Sequence, residues 1–210
     1  MMVLAEEKVI ASKKKQQRII GSGVLLAVMT IAVLFIFLGD GRGILERVFA
    51  AEANITLTSP APVAASKREE IVIDAVVANL PDQEYPAASL SVHFDRNKLE
   101  FVGVRQGTMK TRGRGGIYHI PIWNSDVEAS NQHGIVNTMY LDLTGGDHPY
   151  IVGEEDILVR LVFRLRDSVE SGETHHITIY DAVFATVNPA DSVATSKGNL
   201  RVHHAQIIVR

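Results

Sequence analysis

The sequence has no cysteine, so neither a disulfide framework nor a thiolate metal site is available to it. Any exported domain must therefore be stabilised by its hydrophobic core alone, which a segment of about 155 residues is long enough to supply. Nucleophile-elbow, Walker and zincin patterns are also absent, and the chain is not read as an enzyme. It shows no internal repeat and no low-complexity tract, and after residue 50 no helical period of useful length. Excess positive charge is missing from the body of the chain as well. The net charge is −3, but residues 1–18 carry +3, which leaves −6 on the rest. A body that acidic excludes nucleic acid, whose binding depends on neutralising phosphates. No cofactor is expected.

What the chain does have is one long apolar run. Ile19 to Leu38 reads IIGSGVLLAVMTIAVLFIFL, without a single charge. A helix of that length spans roughly 30 Å, the thickness of a bilayer's hydrocarbon core. Lys8, Lys13, Lys14, Lys15 and Arg18 precede it, while Arg42 and Arg47 beyond it lie next to Asp40 and Glu46. The positive-inside rule then gives a single-pass protein of the cell membrane with a cytoplasmic N-terminus. Residues 1–18 form its basic tail, 19–38 the membrane helix, 39–52 a stalk and 53–210 an extracytoplasmic domain. A cleaved signal peptide is the rival, since Val48 and Ala50 resemble a cleavage site before Ala51. The polar stretch GDGRGILERVF and the length of the apolar run favour a retained anchor. Both readings export the domain.

From Asn54 onward the period changes to two. Val159, Leu161, Phe163 and Leu165 alternate with Arg160, Arg164 and Arg166 around Val162. Ile71, Ile73, Ala75 and Val77 alternate likewise, as do Leu90, Val92 and Phe94 with Ser89, Ser91 and His93. Such alternation buries one face of a strand and wets the other. Further strands are expected at 54–58, 98–105, 117–122, 135–143, 174–186 and 199–209. Turn signals such as Pro81-Asp82, Asp95-Arg96-Asn97, Gly145-Gly146-Asp147 and Lys197-Gly198-Asn199 divide them. About nine strands with regular turns imply an all-β sandwich of jelly-roll or immunoglobulin-like type.

The order of these strands resembles the cohesin domain family. SLSVHFDRNKLEFVGVRQG (89–107) is similar to its signature: an alternating strand, an aromatic-Asp pair (Phe94-Asp95), a turn, then Leu99, Phe101, Val104 and Gly107. Trp123, Gly134-Ile135-Val136, ILVRLVFRLRDSVESGETHHITI (157–179) and GNLRVHHAQIIV (198–209) fit the later strands. The resemblance implies a nine-stranded jelly-roll that binds rather than catalyses. Its implied partner is a protein of the cell envelope, dockerin-like or other. Related carbohydrate-binding modules share the sandwich, so cell-wall or extracellular polysaccharide is the alternative ligand. A structural subunit of an envelope or pilus assembly is a third reading. Dockerin-binding cohesins often carry Asn and Asp on the exposed face of the strand before the aromatic-Asp pair. Ala87 and Ser89 stand at the matching positions, so strong capture of standard dockerins is not expected.

The candidate partner-binding face is Ala87, Ser89, Ser91 and His93, which point outward if Leu90, Val92 and Phe94 point inward. Other clusters carry milder readings. The pairs His175-His176 and His203-His204 are read as solvated or edge histidines, because neighbouring strand residues face opposite ways and no carboxylate stands at ligand spacing. Lys110, Arg112 and Arg114 lie in the Gly-rich stretch KTRGRGG, read as a hairpin loop with an anion contact as the rival. Tyr118, Trp123, Tyr140 and Tyr150 are core candidates, with a sugar-stacking platform as the functional alternative. Asp142, Asp147, Glu154, Glu155 and Asp156 read as a solvated acidic loop or a weak calcium contact rather than a hydrolytic pair.

Overall fold

Period-two alternation produces the first contacts of the fold. Ile71, Ile73, Ala75 and Val77 are all buried, and so are Val159, Leu161, Phe163 and Leu165. The two sets meet across an antiparallel ladder, with Ile73 opposite Leu161 and Ile71 opposite Phe163. A computed structural model describes residues 52–65, 69–112, 118–119, 121–144, 149–151 and 155–210. The expected tail, membrane span and stalk up to Ala51 lie outside the described residues, as do Arg114, Asp147 and Glu154. Among the described residues no helix is long and apolar enough to cross a membrane.

The described residues form strands β1 (Asn54–Leu57), β2 (Ile71–Ala78), β3 (Ala87–His93), β4 (Leu99–Gln106), β5 (Lys110–Arg112), β6 (Tyr118–His119) and β7 (Asn124–Ser125). Helix α1 (Val127–His133) follows, then β8 (Ile135–Leu141), β9 (Tyr150–Ile151), β10 (Glu155–Leu165), β11 (Thr174–Ala185), β12 (Val193–Ala194), β13 (Arg201–His203) and β14 (Ala205–Ile208). One sheet has the order β13-β1-β2-β10-β4, and the other β12-β11-β3-β8-β7 with β14 also paired to β11. A small third sheet, β6-β5-β9, is attached through the Tyr85–Tyr150 bridge. The inner faces of the two main sheets share one core. Phe163 anchors it, 5.3 Å from Phe94 and 5.5 Å from Phe101 by ring centroids. Tyr85, Tyr150 and Phe184 form a second aromatic group, with Tyr85 6.2 Å from Tyr150 and 5.9 Å from Phe184.

The all-β sandwich agrees with the sequence reading, but the strand count needs correction. The expected strand 199–209 is two strands, because the chain pairs with β1 as far as His203 and with β11 from Ala205. Of the expected strand 117–122, Tyr118 and His119 form β6, residues 121–122 are not strand, and residues 117 and 120 lie outside the described residues. A helix also appears where none was expected. Asp126 caps α1 by accepting from the Ala129 amide, and Gly134 ends it in the left-handed conformation at φ 70°. This helix closes an open sheet edge. Asn131 accepts from the Phe101 amide and donates to the Phe101 carbonyl, both at 2.8 Å, so a side-chain amide completes the edge of β4.

The signature residues have physical tasks. Phe94 enters the core, while the Asp95 carboxylate accepts from the Asn97 amide at 2.9 Å and shapes the β3–β4 turn. Gly107 lies against the bulge of β10, whose Ile157 carbonyl accepts from the amides of Thr108 at 2.7 Å and Met109 at 3.0 Å. A Cβ at residue 107 would sit 1.8 Å from that carbonyl oxygen. Gly107→Ala should therefore destabilise the domain by about 2–4 kcal/mol through backbone displacement. Phe163→Ala should cost on the order of 3–5 kcal/mol by opening a cavity. Both are checked by denaturant unfolding followed by circular dichroism. A loss below about 1 kcal/mol for Phe163→Ala would remove it from the core.

Candidate docking face

β3 lies between β11 and β8, and its side chains divide strictly. Ala88, Leu90 and Val92 are buried, so Ala87, Ser89, Ser91 and His93 stand on the outer surface, as the sequence predicts. Cross-strand register brings Leu141, Met139, Asn137 and Ile135 beside them on one flank. Ala185, Val183, Asp181 and Thr178 lie on the other. A register shift between Ile179 and Asp181 adds Tyr180, 72% exposed, whose ring centroid is 4.9 Å from that of His93.

Short side chains on the middle strand and longer ones on its flanks make a trough. The depression has a volume of about 310 Å³ and is lined by Ala87, Ser89, Met139, Leu141, Val183 and Ala185. Met139 and Leu141 are 54% and 53% exposed, a large amount of apolar surface to leave in water. The sequences of β3, β8 and β11 contain no Lys or Arg. Their polar groups are partly engaged already: Ser91 donates to Asn137 Oδ1 at 2.7 Å, and the Asp181 carboxylate accepts from the Thr195 hydroxyl. The outer side of the other main sheet differs in kind. There Arg160 pairs with Asp74 at 3.2 Å, and Arg164 and Arg105 both pair with Glu70.

The remaining candidate clusters resolve into structural parts. Trp123, Tyr140 and Tyr150 are buried and offer no platform for sugar stacking. The Tyr140 phenol is pushed up to about 12 by burial and by the charge of Asp142. Tyr150 donates to Asp156 Oδ2 at 2.7 Å. The Tyr118 and Glu155 side chains lie outside what the structure describes. Arg112 pairs with Glu84 at 2.8 Å, and Asp142 accepts from the Thr144 amide at 2.8 Å. His175 is buried 3.3 Å from Glu173, and His176 is exposed on the opposite side of β11. Among the described residues no three His, Asp or Glu side chains converge to hold a metal ion.

The flanking residues Met139, Leu141 and Tyr180 escaped the sequence reading. One signal was present in β8, where Val136 and Tyr140 face the core while Met139 and Leu141 face out. A strand apolar on both faces in an antiparallel sheet needs a cover for each.

The strand order, the trough on one sheet and the Phe94-Asp95 turn accompany a match to the profile of the cohesin domain over residues 63–202. The chain belongs to the cohesin domain family. Solved cohesins share its fold at low identity. The third ScaC cohesin of Acetivibrio cellulolyticus, solved with the ScaB dockerin, is 14% identical with a TM-score of 0.54, over 75% of this chain and 98% of that one. The sixth cohesin of that organism's scaffoldin B, in complex with a mutant Cel5 dockerin, is 15% identical with a TM-score of 0.54, over 76% and 100%. A non-cellulosomal cohesin from the hyperthermophilic archaeon Archaeoglobus fulgidus is 15% identical with a TM-score of 0.50, over 76% and 92%. No curated protein shows a significant match to this cohesin.

Proposed function

We propose that this cohesin is a non-catalytic, membrane-tethered docking module that receives a protein partner on the outer face of β11, β3 and β8. The observation that carries the reading is the contrast between the two outer faces. One is an uncharged trough with exposed apolar flanks, and the other is covered with paired charges. Exposed ion pairs stay hydrated and contribute little to contact, whereas exposed apolar area is released from water on docking. Short side chains on β3 lose little rotamer freedom when covered. Cohesins of the same fold have been solved in complex with dockerins, which favours a dockerin-like module as the class of partner. Its contacting surface should be apolar and uncharged, because Ala87 and Ser89 offer no carboxylate or amide for a polar dockerin to read. The apolar run Ile19–Leu38, following a basic cluster, supports the tether.

A photo-crosslinking side chain at Ser89 of the full-length chain, activated in native membranes, should capture a discrete protein. The same group at Val76, on the opposite outer face, should not. Capture at Val76 and not at Ser89 would overturn the assignment, and polysaccharide alone at Ser89 would transfer the face to a carbohydrate ligand. With no Lys or Arg on the three strands, capture at Ser89 should change less than about twofold when salt rises from about 0.1 M to about 1 M. The tether is tested separately with single cysteines at Ser12 and Ser196. An impermeant thiol reagent should label position 196 and spare position 12 in intact cells, and the reverse would invert the topology.

A further inference from the structure

The last segment of the chain changes sheets at a histidine. β13 runs parallel to β1 in one sheet, with His203 opposite Thr56. β14 pairs with β11 in the other, with Ala205 opposite Ile177. His204 stands between the two ladders, where the backbone is leaving one sheet for the other and offers no carbonyl to β11. The amide of Ile179 donates instead to Nδ1 of the His204 imidazole at 3.0 Å. A side chain thus replaces a ladder carbonyl at the point where the pairing of β11 with β3 shifts register, between Ile179 and Asp181.

An imidazole nitrogen accepts a hydrogen bond only while it carries no proton, so this bond requires the neutral ring with its proton on Nε2. Ile179 itself is buried and His204 is exposed, so the bonded imidazole stands between that amide and solvent. We propose that His204 is an acid-sensitive latch, which closes the bulge of β11 while its ring is neutral and opens it when Nδ1 is protonated. The charged and titratable side chains on the surrounding strands are His175, His176, Tyr180 and Asp181 of β11, His93 of β3, and Arg201 and His203 of β13, with His175 beside Glu173. Asp181 is engaged by Thr195 and Arg201 by Glu52, and among the described residues no ion pair includes His204. The residue carried outward by the bulge is Tyr180, whose ring lies tilted against that of His93, so opening the latch frees one wall of the sheet's outer face. The inference is independent of the docking reading, because the latch is read in the free protein.

The test follows the Ile179 amide by hydrogen exchange in the full-length chain, kept in detergent and labelled with nitrogen-15 at Ile and His. Its protection factor should fall about three- to tenfold, relative to that of Val92 in β3, between about pH 7.5 and about pH 5. The imidazole nitrogen shifts of His204 should show an unprotonated Nδ1 at the higher pH. His204→Asn places an amide oxygen near the position of Nδ1 and should keep Ile179 protected at both values. His204→Leu should leave it unprotected at both. Equal wild-type protection at the two values, or a protonated Nδ1 at the higher one, would overturn the latch. So would parallel losses in wild type and His204→Asn. The first two readings need no variant, so a misfolded substitution would not spare the proposal.

Discussion

The register of β3 governs what this domain presents to its surroundings. Ala88, Leu90 and Val92 are buried, in the same core as the Phe94–Phe163 contact, and β3 is hydrogen-bonded along both edges. A slip of one residue would bring His93 and the two serines into that core and push Leu90 and Val92 into water. The cost of such an exchange fixes the outward set, Ala87, Ser89, Ser91 and His93, as firmly as the inward one. The face proposed for docking is therefore a by-product of core packing. Its short side chains need no support of their own, because the strand beneath them cannot turn over.

The rest of the architecture protects that arrangement. Antiparallel sandwiches are exposed to unwanted pairing at their edges, and this one closes them with whatever group is nearest. Asn131 completes β4 with an amide, His204 completes β11 with an imidazole, and the segment before β2 pairs with the end of the chain through Val63 and Val209. On the five-stranded sheet, arginines of β4 and β10 are tied to Glu70 and Asp74, so that face keeps its water. The face proposed for docking lies away from those edges and, among the described residues of β3, β8 and β11, carries no Lys or Arg.

Much of this was legible in the sequence, and the exceptions have physical causes. Alternation revealed β2 and β3 because each buries one face only, and β10 because Arg160 and Arg164 keep the period although Leu158 and Val162 are buried as well. The outward residues of β3 followed directly from that. Residues 127–133 escaped notice because VEASNQH has no apolar stripe; α1 is held by Asp126, Gly134 and the Asn131 contact, none of which shows as a period. The break at His204 was equally hidden, since an alternating strand reads the same whether it stays in one sheet or crosses to another. The aromatics Trp123, Tyr140 and Tyr150 went to the core, while the exposed ring, Tyr180, is displayed by a bulge that no local pattern announces.

The central claim is that one sheet face does the work. It is tested most directly by mapping hydrogen exchange over the full-length chain, with its partner bound and after the partner is stripped away. Protection gained on β3, β8 and β11, from Ala87 to His93, Ile135 to Leu141 and Thr178 to Ala185, is the result this account requires. Protection gained instead on β2, β4 and β10, with these three strands unchanged, would contradict it.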